Sequence, residues 1–238
     1  MLKKVLFVIV SIAAFMLFET SQGQSRDYVV LNEEDVMVVE AESTQNNDVQ
    51  DAASAELPFI ISKFDSIMQE IALEQGQDWR LMSAIAYNES RFIENLVSKQ
   101  GATGIMQIRP VVARHFNIPV EQISDTPTNI RLAGMLLTEL DGMLRIPAST
   151  STQDRLSIVL ASYNAGIGHI LDACRLARSE GANPNSWGDV SRYLKLMSDP
   201  EYYQRDVVRY GKFTGSAQTL GYVREVMKTY NEYCRMTS

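Results

Sequence analysis

From residue 57 onward, apolar residues recur every three or four positions along the chain, a spacing that predicts amphipathic helices. The first predicted helix spans 58–76, and its apolar stripe consists of Ile60, Phe64, Ile67, Met68 and Ile71. No strand-like alternation of any length occurs in this region. The pattern therefore predicts one all-α domain built from helices of unequal length.

Capping residues indicate where several of these helices begin and end. Asp78 is a plausible N-cap for the second helix, and Pro110 marks the start of a short one. A Ser/Thr cluster opens the helix that stops at Gly166. The other predicted helices span 126–145, 168–181, 186–197, 200–210 and 217–234.

The first 23 residues have a different pattern, typical of an export signal. Lys3 and Lys4 precede an apolar run at 5–18, and the small residues Ser21 and Gly23 follow it. Because this run is shorter than the about 20 residues that cross a bilayer, we interpret 1–23 as a cleaved signal peptide. An uncleaved membrane anchor is the alternative. Either way, the sequence predicts export to the periplasm or cell envelope.

The net charge of -7 comes from one segment of the chain. Residues 24–56 contain nine acidic residues and one basic residue, Arg26, and few aromatic ones, which predicts a flexible acidic linker. The predicted domain, 57–238, contains 19 acidic and 19 basic residues. It has no basic patch of the kind that binds nucleic acid, so we expect no nucleic-acid partner. The linker is a candidate contact for cell-wall proteins.

The cysteines and histidines predict no metal site. An exported chain permits a disulfide, and Cys174 with Cys234 is the single pairing available; two free thiols are the alternative. His115 and His169 are far apart in sequence and make a poor zinc site. We therefore expect neither metal nor cofactor.

One acidic residue is a candidate for chemistry. Leu81, Ile85 and Glu89 are four residues apart, so Glu89 continues an apolar helix face. Most glutamates are solvated surface charges. A carboxyl group at the end of an apolar stripe is instead desolvated, which raises its pKa and suits a general acid.

Two further segments contain residues suited to a ligand site. Gly101 and Gly104 allow a tight backbone path, and "GIMQI" follows them with Met106 and Gln107. A turn before a buried segment is the simpler interpretation. In "ASYNAG", Tyr163 lies on an apolar stripe, and its hydroxyl needs a partner, either Glu89, a sugar or a backbone group.

The motifs "NES", "GATGIMQI", "TPTNIRLAGMLL", "ASYNAG" and "GYVREV" occur in this order. Together they resemble the ordered motifs of lytic murein transglycosylases, the relatives of goose-type lysozyme, over residues 57–235. Residues 183–223 are most similar to the membrane-bound F-type enzymes of that family. Those enzymes carry a solute-binding-type domain ahead of the catalytic one, and 24–56 is too short for it.

The resemblance implies a lysozyme-like helical fold and a set of site residues. Glu89 matches the catalytic acid/base, and Asn129 and Gly134 match a helix-packing motif without chemistry. Ile105 replaces the Leu of the family's Gly-Leu-Met-Gln loop. The implied substrate-binding residues are Ser90, which is expected to position the sugar, and Gly104, Met106, Gln107, Tyr163, Asn164 and Tyr222.

The implied reaction is cleavage of peptidoglycan between N-acetylmuramic acid and N-acetylglucosamine, with formation of a 1,6-anhydro ring. Most glycosidases use two carboxylates, and the motifs supply one. A hydrolytic muramidase is one alternative, with Glu94 or Asp125 as the second acid. A non-catalytic peptidoglycan-binding scaffold is the other.

Overall fold

The computed structural model describes residues 60–238. Over this range the chain forms a 3₁₀ helix, Val120–Ser124, and nine α-helices: α1 (Asp65–Gln75), α2 (Trp79–Ser90), α3 (Pro110–His115), α4 (Thr126–Leu144), α5 (Thr152–Ala165), α6 (Ile167–Ser179), α7 (Trp187–Leu196), α8 (Pro200–Tyr203) and α9 (Ser216–Met236). The only β pairing within 60–238 is two isolated bridges, from Thr103 to Val97 and to Ile108. The all-α prediction is thus confirmed for these residues.

The predicted signal peptide, 1–23, and the acidic linker, 24–56, lie outside the described residues, as do the first residues of the predicted domain. Within the described helices, none is long and apolar enough to cross a membrane.

Helix α5 is the centre of the domain. Its residues from Ser157 to Ala165 are buried without interruption, and it packs against α4, α6, α7 and α9. A helix buried on every side needs small residues and satisfied hydroxyls. Ser162 meets both needs, because its hydroxyl donates to the Ile158 carbonyl at 3.0 Å.

Helix α2 packs along α9 and also contacts α1 and α4. Its apolar face joins a continuous core, whose fully buried members include Met68, Ile71, Met82, Ile85, Ile130 and Leu136. The C-terminal end of α2 is therefore held by several helices, and Glu89 lies at that end.

The predicted caps are confirmed. Asp78 accepts a hydrogen bond from the Arg80 amide at 2.9 Å, and Pro110 is the first residue of α3. Ser151 caps α5 by accepting from the Asp154 amide, and Gly166 follows the last residue of that helix.

The predicted first helix is wrong at its start. Helix α1 begins at Asp65, and Ile60 is 48% exposed instead of lying on the apolar stripe. The carboxylate of Asp65 accepts hydrogen bonds from the amides of Ile60, Ile61 and Ser62 at 2.8–2.9 Å. These bonds stabilise a turn that competes with the helix.

The predicted helix 200–210 is also wrong over most of its length, since only Pro200–Tyr203 is helical. Buried Asp172 of α6 accepts hydrogen bonds from the amides of Arg209, at 2.9 Å, and Tyr210, at 2.6 Å. A tertiary contact that uses these amides holds the segment in an irregular path.

We predict that Asp78→Ala lowers the free energy of unfolding by about 1–2 kcal/mol. The substitution removes the α2 cap and the acceptor of the Tyr230 hydroxyl, which bonds Asp78 at 2.9 Å from α9. Urea denaturation measures the change. Asp199→Ala is the matched control, because Asp199 caps only the four-residue α8. Equal losses for both variants would contradict the prediction.

Candidate active site

Glu89 lies in the last turn of α2, on the face that also carries Leu81 and Ile85. All three are buried, and Glu89 is 7% exposed, as its helical spacing predicted. Within residues 60–238, its Oε1 atom has no hydrogen-bond partner. A buried carboxyl oxygen without a partner is a strong sign of a ligand site.

Burial raises the pKa of Glu89 to about 8, because water no longer solvates the carboxylate. The Tyr222 hydroxyl, delivered by α9, lies close enough to oppose this rise. Its oxygen nonetheless does not reach standard hydrogen-bond geometry with any acceptor or donor among the described residues. Glu89 is therefore predominantly protonated at neutral pH.

The chain reverses direction directly after Glu89. Arg91 and Phe92 both adopt the left-handed region, with φ of 54° and 62°. This conformation is strained for residues with a Cβ. The guanidinium of Arg91 stacks over the Tyr87 ring at 3.9 Å, which holds the turn against α2.

The segment "GIMQ" forms a tight turn between Thr103 and Ile108, whose backbones exchange two hydrogen bonds of 3.0 Å. Gly104 and Gln107 both have positive φ, of 78° and 49°. The amide of Gln107 donates to the Gly104 carbonyl at 3.1 Å and closes the turn.

Asn129 of α4 holds this turn in place. Its Oδ1 accepts a hydrogen bond from the Met106 amide at 2.8 Å, and its Nδ2 donates to the carbonyls of Thr103 and Ile123, each at 2.8 Å. The side chain is fully buried and lies against Gly104. Two of the three hydrogen bonds of this side chain, those with Met106 and Thr103, thus fix the loop, and the third ties it to the 3₁₀ helix.

Ser90 and Tyr163, both expected to bind substrate, also hold the loop. The Ser90 hydroxyl is buried between the carbonyls of Ile105, at 2.9 Å, and Ala86, at 3.1 Å. The Tyr163 hydroxyl donates to the Met106 carbonyl at 2.9 Å. Both hydroxyls thus bind backbone carbonyls of the "GIMQ" turn.

The remaining expected ligand residues divide into two kinds. Met106 is fully buried and Gly104 supplies the turn, so both shape the loop from inside. Gln107 donates from Nε2 to the carbonyls of Leu96 and Gly104, which leaves its buried Oε1 without a partner among residues 60–238. The Nδ2 of Asn164 is likewise buried and unpartnered there. Gln107 and Asn164 therefore present a free acceptor and a free donor.

The family described as "Transglycosylase SLT domain" matches residues 66–185 of this chain. The match includes Glu89, the "GIMQ" turn, Asn129 and Tyr163, and it ends before Tyr222. The chain belongs to this family.

Curated relatives of this SLT domain include two proteins named "Membrane-bound lytic murein transglycosylase F". The one from Marinobacter nauticus is 34% identical over 177 residues, which is 74% of this chain and 34% of the relative. The one from Alteromonas mediterranea is 33% identical over 171 residues, 72% of this chain and 35% of the relative. The chain thus spans about a third of the length of these relatives.

Two solved structures also match. An inactive mutant of the lytic transglycosylase Slt from Pseudomonas aeruginosa has a TM-score of 0.49 at 20% identity, covering 71% of this chain and 24% of that one. The 70 kDa soluble lytic transglycosylase SLT70 from Escherichia coli has a TM-score of 0.46 at 23% identity, covering 72% and 24%.

Glu94 and Asp125, the two candidate second acids of the SLT domain, both form hydrogen bonds near the start of α4. Glu94 pairs with Lys63 and accepts from the Thr126 hydroxyl, and these contacts lower its pKa. Asp125 caps α4 by accepting from the amide and hydroxyl of Thr128, which lowers the Asp125 pKa. Both carboxylates are thus charged at neutral pH and accept hydrogen bonds from the first turn of α4.

The cysteines do not form a disulfide: both are free. The Cys174 thiol of α6 donates to the Pro184 carbonyl at 3.4 Å, and burial raises its pKa to about 11. His115 lies beside Glu139 at 2.8 Å. Within the described residues, no group of three or more His, Cys, Asp or Glu is arranged to hold a metal ion.

The sequence missed the role of Asn129. The family resemblance implies only helix packing for Asn129. In the structure, its side chain binds the backbone of the "GIMQ" turn. A buried amide can satisfy backbone groups distant in sequence, and nothing local to "TPTNI" indicates which. The tie between α2 and α9, in which Asn88 donates to Thr229 at 3.2 Å, was also missed.

We predict that Gly104→Ala destabilises the protein far more than Gly101→Ala. Both glycines have positive φ, so both variants incur backbone strain of about 1–2 kcal/mol. An added Cβ at Gly104 lies 2.7 Å from the Asn129 side chain, whereas one at Gly101 meets nothing within 4 Å. The collision lowers the free energy of unfolding of Gly104→Ala by about 1–3 kcal/mol more, which urea denaturation measures. Equal losses of unfolding free energy in the two variants would show that the Asn129 side chain moves aside without cost.

We also predict that Glu89→Gln gains stability over the wild type as pH rises. The folded-state pKa of about 8 exceeds the ordinary 4.5, so the unfolded chain loses its proton first. Unfolding free energy therefore falls as pH rises between these values, by about 5 kcal/mol at most. Glutamine carries no such penalty. Melting temperatures measured from pH 5.5 to 8.5 test this difference.

Glu94→Gln is the matched control for that measurement. Its pKa is lowered, so Glu94 stays charged across the same pH range and its removal changes stability by a constant amount. A wild type whose stability runs parallel to that of Glu89→Gln over this range would show that Glu89 ionises normally.

Proposed function

We propose that this chain is a lytic transglycosylase of peptidoglycan, with Glu89 as its single acid and base. The bond cleaved is the β-1,4 linkage from N-acetylmuramic acid to N-acetylglucosamine, and the product carries a 1,6-anhydro ring. The observation that carries the proposal is a buried carboxyl with a pKa of about 8 whose neighbouring acids serve helix ends. The names of the curated relatives agree with this activity.

The first step is proton donation. Glu89, protonated at neutral pH, gives its proton to the bridging oxygen, the bond from that oxygen to C1 breaks, and N-acetylglucosamine leaves with a free hydroxyl. Positive charge develops at C1 of the muramic sugar, and the sugar's own acetamido oxygen stabilises it. The Tyr222 hydroxyl beside Glu89 stabilises the new carboxylate, since it already opposes the pKa rise.

The second step returns the proton. The Glu89 carboxylate accepts the proton of the muramic C6 hydroxyl while that oxygen bonds to C1 and closes the anhydro ring. No water is consumed, and Glu89 ends protonated as it began. Because the nucleophile belongs to the same sugar, proximity replaces the second carboxylate that glycosidases normally use.

The polar atoms of Gln107 and Asn164 that lack a partner among residues 60–238 are suited to hold the sugar. Gln107 Oε1 accepts and Asn164 Nδ2 donates, which matches the hydroxyls and acetamido groups of both sugars. Ser90, Tyr163, Gly104 and Met106 act through the loop that carries Gln107.

We further propose the organisation that this activity requires. Residues 57–238 act as the catalytic domain, 24–56 as an acidic tether and 1–23 as an export signal. Peptidoglycan lies outside the cytoplasm, so the domain acts in the periplasm or cell envelope.

The decisive experiment is product analysis. Intact sacculi digested with the protein are expected to release anhydro-muropeptides, each lighter by one water than the hydrolysis product, as measured by mass spectrometry. Reducing-end muropeptides would instead identify a muramidase. Measurable sacculus binding without any release would identify a scaffold.

Glu89→Gln is expected to lower the rate at least about 100-fold, the usual contribution of a general acid. Glu94→Gln is the control and should retain activity, because the Glu94 carboxylate is already bound by Lys63 and Thr126. Comparable losses in both variants would remove Glu89 from its assigned role.

A further inference from the structure

A second concave site lies on α6, apart from Glu89. It is an open groove of about 390 Å³ between the C-terminal half of α6 and the irregular segment that follows α8. Three arginines and one aspartate line it, together with two uncharged residues: Arg175, Arg178, Arg209, Asp206, Ser179 and Val207. The charged lining is thus net positive, in a predicted domain whose acidic and basic residues are equal in number overall.

A smaller pocket of about 100 Å³ adjoins the groove, and Arg175 and Arg178 line both cavities. Six of its lining residues come from α4, α5, α6 and the connecting segments and carry no charge or amide group: Leu144, Ile146, Ile158, Leu171, Cys174 and Pro184. Asn185 and the two arginines supply the polar part of its wall, so Arg175 and Arg178 lie between the charged groove and a pocket of mixed polarity.

The groove is a built feature of the fold. Buried Asp172 pairs with Arg175 and accepts the amides of Arg209 and Tyr210. One carboxylate thus fixes the guanidinium of Arg175 and the backbone that carries Arg209. Arg178 and Arg209 are exposed, so their charges are accessible to a ligand.

We propose that this composite site binds a short peptide with a free terminal carboxylate and a small apolar final side chain. The carboxylate pairs with the groove arginines, because guanidinium and carboxylate match in geometry and charge. The apolar side chain enters the adjoining pocket. Asp206 receives an ammonium or amide group of the same peptide. This negative group also distinguishes the ligand from a uniform polyanion.

The peptide stems of peptidoglycan supply this chemistry, and this assignment rests on the proposed function. Helix α6 begins at Ile167, shortly after Asn164, and Arg175 and Arg178 follow on the same helix. At 1.5 Å per residue they lie about 12–17 Å further along its axis. An extended peptide of four residues spans about 13–14 Å, which matches the axial distance to Arg175, so a stem attached to a sugar beside Asn164 is long enough to approach that end of the groove.

Isothermal titration of the full-length protein with the synthetic peptide Ala-Glu-Lys-Ala tests this site. The peptide has no glycosidic bond, so binding is measured independently of cleavage. We expect the double variant Arg178→Gln, Arg209→Gln to bind it at least about tenfold more weakly, since about 1.4 kcal/mol corresponds to that factor. The same peptide with a C-terminal amide should bind the wild-type protein at least about tenfold more weakly than the free acid does.

Arg131→Gln is the matched control, because Arg131 pairs with Glu74 between α4 and α1 and carries the same charge. It should bind the peptide like the wild type, and thermal melting verifies that every variant is folded. Unchanged affinity in the double variant, or in the amide peptide, would overturn the proposal.

In a final titration, inorganic phosphate competes with the synthetic peptide for the site. If it displaces the peptide at concentrations comparable to the peptide's own, the groove is a general anion site and the peptide assignment is wrong. The outcome is separate from that of the proposed function. Peptide binding by a protein that releases no anhydro-muropeptides would sustain the site and reject the reaction.

Discussion

The removal of one carboxyl group from water is the constraint on which the rest of this structure depends. Glu89 ends a helix whose apolar face is packed into the core, and its pKa rises because nothing charged replaces the lost solvent. A positively charged partner nearby would lower that pKa towards its ordinary range, but only the Tyr222 hydroxyl opposes the rise. Glu94 and Asp125, the other acids considered, form hydrogen bonds near the start of α4.

A single acid can act on a substrate only if the residues that hold the substrate against it have fixed positions. The "GIMQ" turn is bound by side chains from three helices, with Ser90 on α2, Asn129 on α4 and Tyr163 on α5. These residues use their polar atoms on backbone groups of the loop. In the proposed reaction, the unpartnered polar atoms of Gln107 and Asn164 bind the sugar. In that proposal, Ser90, Asn129 and Tyr163 hold the loop, and different residues bind the sugar.

Sequence reasoning succeeded where a local pattern determines the structure. Helical spacing located the burial of Glu89, and Asp78, Pro110 and Gly166 marked helix ends correctly, because caps act within one turn. It failed where a distant group decides. Asp172 draws the amides of Arg209 and Tyr210 out of a helical pattern. The family resemblance identified Ser90 and Tyr163 as important, but only the packed structure shows that they bind backbone carbonyls.

The delivery of Tyr222 by α9 has a consequence for the order of folding. Glu89 and its aromatic neighbour are separated by more than half of the chain, so the contact between them forms only after a large loop has closed. During synthesis, a nascent chain that has emerged only as far as α8 lacks the helix against which α2 packs most extensively. Such a chain therefore lacks both Tyr222 and much of the packing that keeps water from Glu89. The environment that raises the Glu89 pKa is thus complete only once α9 has docked on α2.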